Sequence, residues 1–439
     1  MNFYDREQET EKLRKIASSS NENAQMTFVV GRRRIGKTML LLKALPQENT
    51  LYFFVARKSE DLLCQDFILE IQRKLNVPVL GNVSRFADVF NFLMQVSESR
   101  QFNLVIDEFQ EFYNVNSSVY GEMQHYWDVN KEKSKINLVL CGSINSLMHK
   151  IFENSKEPLF GRATAKITVK PFRIDVIKAI LKDHNPQYTN EDLLALYLFT
   201  GGVAKYIQLL IDNHATTFEK MVDFIICEDS RFIDEGKNML IEEFGKDYAT
   251  YFSILSYISS GKNTRSEIEA EIGGEIGGYL TKLERDYGLI TKEQPILSKS
   301  TTKNMRYGVA DNFLTFWFRF IYKYGYYIES ANFDDLKNLV KRDYATFSRH
   351  ILERYFRQQL RESQQFSRIG SYWDRKGTHE MDLIAIDDNK KQILFAEVKR
   401  NEEHIRYNTL KEKAEYFLSL NPKLKRYKKE YKGLTLKDM

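Results

Sequence analysis

Gly31-Arg32-Arg33-Arg34-Ile35-Gly36-Lys37-Thr38 sets two glycines, a lysine and a hydroxyl at the spacing G-x-x-x-x-G-K-[ST]. Those residue types suit one task, which is holding a polyphosphate. The glycines permit a backbone path whose N–H groups all point inward at phosphate oxygens. Lys37 would reach the β- and γ-phosphates, and the Thr38 hydroxyl would ligate Mg²⁺. Downstream, the apolar run Phe102-Asn103-Leu104-Val105-Ile106 ends in Asp107-Glu108. Asp107 would hold Mg²⁺ through its water shell, and Glu108 would orient and polarise an attacking water. A further apolar run, Ile136 to Cys141, ends at Gly142-Ser143-Ile144-Asn145, where Ser143 or Asn145 would touch the γ-phosphate or that water.

A second constellation lies near the other end of the chain. Asp382 opens the run Asp382-Leu383-Ile384-Ala385-Ile386, and Ile393 to Lys399 closes in Glu397-Val398-Lys399, with 14 residues between Asp382 and Glu397. On adjacent strands of one hairpin, this spacing brings the two carboxylates together as hard oxygen ligands for Mg²⁺. Lys399 lies on the same strand face as Glu397, placed to activate water or stabilise phosphorane-like charge.

The elements that must position these residues follow from periodicity. Met26 to Val30 reads as a strand, the glycine loop follows, and Met39 to Leu45 reads as a helix whose N-terminus adds partial positive charge. Leu51 to Val55 is a second strand, and Asp61 to Leu75 and Phe86 to Ser97 read as helices. Alternation of this kind implies a parallel sheet with covered faces and a ligand at the strands' carboxyl ends. Residues 175–245 read as helices, with Gly201-Gly202 in a turn. Residues 246–315 read as three helices and a polar hairpin, a winged-helix-like module. The third helix carries Glu275, Glu284 and Asp286 against Lys282 and Arg285, a balance that favours packing or partner contact over reading a DNA groove. The aromatic run Phe316 to Tyr327 reads as a docking helix.

Composition excludes several classes. A chain of 439 residues exceeds one ordinary core. No apolar run approaches the roughly 20 residues of a membrane span, and the first residues carry no apolar secretion segment, so a cytoplasmic protein with no membrane partner is expected. Cys64, Cys141 and Cys227 form no C-x-x-C pair, which excludes a disulfide framework and a cysteine zinc site. The net charge of +5 is uneven, because residues 341–439 carry 23 Lys and Arg against 15 Asp and Glu. A basic C-terminal third suggests either a polyanion partner, with DNA the first candidate, or a merely solvated basic surface.

The loop with its three arginines, Asp107-Glu108-Phe109-Gln110, Gly142-Ser143, Pro158-Leu159-Phe160-Gly161-Arg162 and Pro171-Phe172 together resemble the archaeal-type ATPase family. These are P-loop NTPases of the STAND group, related to AAA+ proteins and also found in bacteria. The resemblance implies an ATP-dependent switch or motor, with ATP and Mg²⁺ as cofactors. It makes Arg162 either an arginine finger or sensor, in cis or from a neighbouring subunit of a homo-oligomer, or a salt-bridged loop anchor. It makes 175–245 a helical lid, although Ala204 stands where the family's Gly-Gly-x-Pro turn has proline. The C-terminal pattern resembles the PD-(D/E)xK nuclease core, without the proline before Asp382, and Glu353 matches its helix-borne acid.

The expected architecture is α/β, with a P-loop parallel-sheet ATPase core over 1–174 and a helical lid over 175–245. A winged-helix-like module over 246–315 and a nuclease-like α/β domain over 316–439 complete it. Catalysis falls to Lys37, Glu108, Arg162 and Lys399, and the metal ligands to Thr38, Asp107, Glu353, Asp382 and Glu397. Two functions follow from this: metal-dependent action on DNA driven by ATP, or an ATP-gated signalling switch whose C-terminal domain only binds.

Overall fold

The computed structural model describes residues 1–439 apart from 79, 80, 82, 144, 245–247, 300, 301 and 303, and the side chains of Asn145 and Glu242 also lie outside it. The expected boundary at 245/246 falls among the undescribed residues. Contacts divide the chain into two compact units, Tyr4–Pro171 and Phe172–Met439, the second including Met1–Phe3. No helix among the described residues is long and apolar enough to cross a membrane.

Residues 4–171 are built on five strands: β1 (Gln25–Val30), β2 (Thr50–Phe54), β3 (Phe102–Asp107), β4 (Ile136–Cys141) and β5 (Ala165–Thr168). All pair in parallel, in the order β2-β3-β4-β1-β5. Every residue of β3 and β4 is buried, which is why these strands read as near-continuous apolar runs rather than as alternation. Helices Glu60–Leu75 and Phe86–Ser99 cover one face through aromatic packing, with the Phe53 and Phe67 rings stacked at 4.2 Å. The strand order sets the carboxyl ends of β1, β4 and β3 side by side. The loops that leave them therefore share one crevice.

Gly31, the first residue after β1, marks a close approach. A Cβ there would lie 2.6 Å from the Val169 carbonyl oxygen, just beyond the end of β5. Only a glycine lets the loop leave the sheet at that point.

Residues 172–439 begin with helices Ile174–His184, Asn190–Thr200, Ala204–Asp212, Phe218–Ile225 and Arg231–Phe244. Helices Tyr248–Ser259, Arg265–Ile272 and Gly277–Arg285 follow, and then the antiparallel pair β6 (Ile290–Glu293) and β7 (Arg306–Val309). Three helices and a hairpin stand where the pattern places them. The aromatic run forms helix Asn312–Phe316 and a π-helical turn, Trp317–Tyr322. Trp317, Phe318, Phe320 and Ile321 are buried, and the Trp317 indole N–H donates to the Ile233 carbonyl at 2.7 Å. Phe316, Trp317, Phe318, Phe320 and Ile321 are thus core, whereas Tyr322 and Tyr326 further along the run are exposed.

The last part is a four-stranded sheet of β8 (Arg368–Trp373), β9 (Glu380–Asp387), β10 (Gln392–Val398) and β11 (Lys428–Leu434), in the order β11-β10-β9-β8. β8, β9 and β10 form an antiparallel meander, and β11 returns parallel to β10 after helix Tyr407–Leu420. That connection is the crossover a parallel pair needs. Side chains alternate between two cores. Ile384, Ile386, Ile393 and Phe395 pack with Leu410 and Phe417 of the crossover helix, while Leu383, Ala385, Leu394 and Ala396 pack with Leu360 of helix Arg349–Glu362.

Gly236 meets the Trp317 indole so closely that a Cβ would overlap the ring. Gly236→Ala should cost about 1–3 kcal/mol through overpacking and lower the melting temperature. Gly121→Ala, at a helical site with no neighbour within 4 Å, should not. Equal melting temperatures for wild type and Gly236→Ala would contradict this packing.

Candidate nucleotide site and a carboxylate–lysine site

The loop after β1 turns through Arg34 (φ +66°) and Gly36 (φ +96°) into helix Lys37–Ala44. Lys37 is buried, and its ammonium donates to the carbonyls of Gly31 at 2.7 Å and Arg32 at 3.1 Å. The Thr38 hydroxyl donates to Asp107 Oδ2 at 3.0 Å, so the first turn of the helix and the end of β3 converge. Asp107 is only 5% exposed. Its Oδ2 also accepts from the Tyr52 hydroxyl of β2, and its Oδ1 from the Glu108 backbone N–H at 2.9 Å. Burial, with Asp107 beside it, pushes the Tyr52 phenol up, so it stays a proton donor. Burial also lifts the Cys141 thiol at the end of β4 well above its ordinary value, which keeps it an inert neutral group. Thr38 and Asp107 bring a hydroxyl and a carboxylate to one point. That hard-oxygen pair fits Mg²⁺.

Glu108 adopts a left-handed backbone (φ +52°), a conformation costly for a residue with a Cβ. Its Oε2 accepts from the Gln110 amide at 2.5 Å and from the Ser143 hydroxyl at 2.7 Å. Of the two polar candidates after β4, Ser143 therefore touches Glu108, while the Asn145 side chain lies outside the described residues. Gln110 is fully enclosed, and Gly142 leaves the room it occupies, since a Cβ there would overlap Gln110 Oε1 and Met148. Two donors on one oxygen aim the Glu108 carboxylate.

Arg162 is committed elsewhere in the same unit. Its guanidinium grips Asp128 at 2.7 and 3.0 Å and donates to the carbonyls of Pro158 at 2.7 Å and Phe160 at 3.2 Å. These contacts are those a loop anchor makes.

In the C-terminal sheet, β9 and β10 pair as far as Leu383 opposite Ala396, and Asp382 and Glu397 are the next residues on the two strands. The Lys399 ammonium sits between them, 3.0 Å from Asp382 Oδ2 and 3.3 Å from Glu397 Oε1. The remaining contacts are to backbone N–H groups, from Val398 to Asp382 Oδ2 at 2.8 Å and from Arg406 to Glu397 Oε2 at 3.0 Å. Burial pulls the Lys399 ammonium down, but Asp382 and Glu397 outweigh it and hold its pKa above the ordinary value. The three residues, with Glu380, Leu410 and Lys413, line a cavity of about 170 Å³.

Glu353 approaches from helix Arg349–Glu362. Burial first and Asp382 second push its carboxyl up to about 8, so at neutral pH it is protonated and a poor metal ligand. Among the described residues no group of three or more His, Cys, Asp or Glu side chains is placed to hold a metal ion. The structure brings Asp382, Glu397 and Lys399 to one point, with Glu353 electrostatically coupled to Asp382 and Lys399, as the sequence pattern expects. A cation, Lys399, stands where the two carboxyl groups meet.

Sequence reasoning gave no role to Tyr52, Gln110 or Asp128. Gln110 left a signal, lying two residues past the carboxylate pair. Tyr52 and Asp128 left none, since a tyrosine in a strand and an aspartate on a helix are ordinary.

Residues 3–210 match the model of an ATPase domain predominantly from Archaea. Residues 317–414, which contain Glu353, Asp382, Glu397 and Lys399, match a family of archaeal and bacterial proteins of unknown function. An uncharacterised protein of Methanocaldococcus jannaschii is 29% identical over 407 residues, covering 90% of this chain and 87% of its own. A Walker-type ATPase of Pyrococcus abyssi overlays with TM-score 0.55 at 20% identity, covering 72% of this chain and 96% of its own, and so shares the fold. An ORC2 protein of Aeropyrum pernix, in complexes with ADPNP and ADP, overlays with TM-score 0.47 at 12% identity, covering 72% and 94%.

The raised Glu353 pKa makes a prediction with a definite sign. The fold binds this proton more tightly than the unfolded chain, whose glutamate titrates near 4.5. That stabilisation is complete below about pH 4.5 and is lost as pH rises through about 8. Glu353→Gln cannot ionise, so its stability relative to wild type should grow between pH 6 and pH 9 in urea unfolding. A difference that stays constant across that range would contradict the assignment.

Proposed function

We propose that this chain, whose residues 3–210 are an ATPase domain of the predominantly archaeal family, binds ATP with Mg²⁺ at the loop Gly31–Thr38 and hydrolyses it. The observation that carries the reading is the contact of Thr38 with Asp107, next to a Glu108 carboxylate aimed by Ser143 and Gln110. Bound Mg²⁺ would be held by the Thr38 hydroxyl and by Asp107, and it supplies neutralisation of phosphate charge. Lys37 adds a second positive charge at the β- and γ-phosphates. Glu108 takes the proton side of the reaction, polarising the water that attacks the γ-phosphorus. Arg162 enters as an anchor of the 158–162 loop.

For the C-terminal part the switch reading is favoured over metal-dependent cleavage. One observation favours it, namely that Lys399 fills the meeting point of Asp382 and Glu397 while Glu353 stays neutral. The basic surface supports a polyanionic partner such as DNA. Lys423, Lys425, Arg426 and Lys428 are exposed and, among the described residues, make no ion pair with a carboxylate.

Lys37→Ala should abolish binding of a fluorescent ATP analogue. Glu108→Gln should keep binding while turnover falls about 100-fold or more. Turnover equal to wild type in Glu108→Gln would remove Glu108 from the reaction.

Incubation of the full chain with DNA or RNA and Mg²⁺ or Mn²⁺ should give salt-sensitive binding and no cutting. Metal-dependent cleavage that disappears in both Asp382→Ala and Lys399→Ala would reinstate the nuclease.

A further inference from the structure

We propose that Tyr52 is a positioning residue of the ATP site, fixing the Asp107 carboxylate for Mg²⁺-dependent nucleotide binding. The proposal rests on the ATP reading above. Tyr52 belongs to β2, the strand at the edge of the sheet beside β3, where it pairs with Val105 while Phe54 pairs with Asp107. Its neighbour Phe53 is fully buried in the core, whereas Tyr52 lies half-buried on the opposite face of the strand with the exposed Phe54. A phenylalanine would serve that packing as well as a tyrosine does. The hydroxyl is what packing leaves unexplained, and it lies on Asp107 Oδ2.

That oxygen receives two hydroxyl donors, Thr38 and Tyr52. They are not equivalent. Thr38 is the hydroxyl that the ATP reading commits to Mg²⁺, and its residue is exposed at the mouth of the loop. Tyr52 is then the side-chain donor that stays on Oδ2 whether or not nucleotide is bound. With the Glu108 N–H on Oδ1 at 2.9 Å, the carboxylate is held at both oxygens and cannot rotate away from the crevice. A carboxylate held in place loses less orientational freedom when it engages the cation's water shell, so the benefit appears as metal affinity. Burial of Asp107 makes the same donor necessary in the free protein, because an under-bonded buried carboxylate is costly.

The experiment uses the full chain carrying Glu108→Gln, so that a fluorescent ATP analogue stays intact, with and without Tyr52→Phe. Binding is titrated first in EDTA and then against Mg²⁺. Tyr52→Phe should leave metal-free affinity within about two-fold and raise the Mg²⁺ midpoint about ten-fold, the scale of one hydrogen bond to a charged acceptor. In the Glu108-intact chain, the same substitution should raise the Mg²⁺ requirement of turnover more than it lowers turnover at saturating Mg²⁺. An unchanged Mg²⁺ midpoint overturns the proposal, and so does an equal loss of affinity with and without metal, which would mark Tyr52 as packing. Failure of the parent chain to bind the analogue at all overturns the ATP reading, and the proposal with it.

Discussion

A carboxylate at the end of a strand whose six residues are all buried must find donors or hold a proton. Asp107 is such a group, and the way it is satisfied organises the N-terminal unit. One donor comes from the first turn of the helix after the glycine loop, one from the edge strand β2, and one from the backbone that follows it. Each donor fixes the element that carries it. The strand order makes this possible, because β1, β4 and β3 end side by side and deliver their loops to one crevice. All three donors are electrically neutral. None of them brings the positive charge that a divalent cation would bring to this carboxylate.

The C-terminal sheet meets the same difficulty differently. Asp382 and Glu397 follow the last pair of β9 and β10, and two carboxylate charges brought close would repel. Lys399 resolves the repulsion with an ammonium within 3.3 Å of both. A third acid, Glu353, avoids adding to it by keeping its proton. The site also connects outward within its own unit. Arg400, the next residue, pairs with Glu191 of helix Asn190–Thr200 and donates to the Ser348 hydroxyl at 2.5 Å. Glu362 accepts the backbone N–H of Ile174 at 3.0 Å, and Asn190 donates to the Leu436 carbonyl at 2.6 Å. Helices near residue 180 and the sheet near residue 400 thus belong to one packed body.

The phosphate loop was legible because its function demands fixed residue types at fixed spacing, with strand and helix on either side. Asp107-Glu108 was legible because a buried strand, polar before its end only at Asn103, closes in two adjacent carboxylates. Asp382 and Glu397 were legible because a hairpin of known length sets which residues face one another. The losses have physical causes too. β5 is four residues, Ala165-Lys166-Ile167-Thr168, with one buried side chain, so it carries no periodic signal. β11 is lysine-rich because it lies at a sheet edge, and it reads as a solvated stretch until its pairing with β10 is seen. The ion pair of Arg162 with Asp128 spans 34 residues, and no local pattern announces it. Likewise, the sequence showed which carboxylates would meet in the C-terminal sheet, but not that Lys399 would stand between them.

The central claim is that Thr38, Asp107 and Lys37 form one Mg²⁺–ATP site. The most direct measurement is a crystal structure of the full chain with Mg²⁺ and a non-hydrolysable ATP analogue. The account predicts the triphosphate in the 31–38 loop, Lys37 transferred from the Gly31 and Arg32 carbonyls to the β- and γ-phosphates, and the metal beside Thr38 and Asp107. A triphosphate bound elsewhere, or Lys37 still on those carbonyls with nucleotide present, would contradict it.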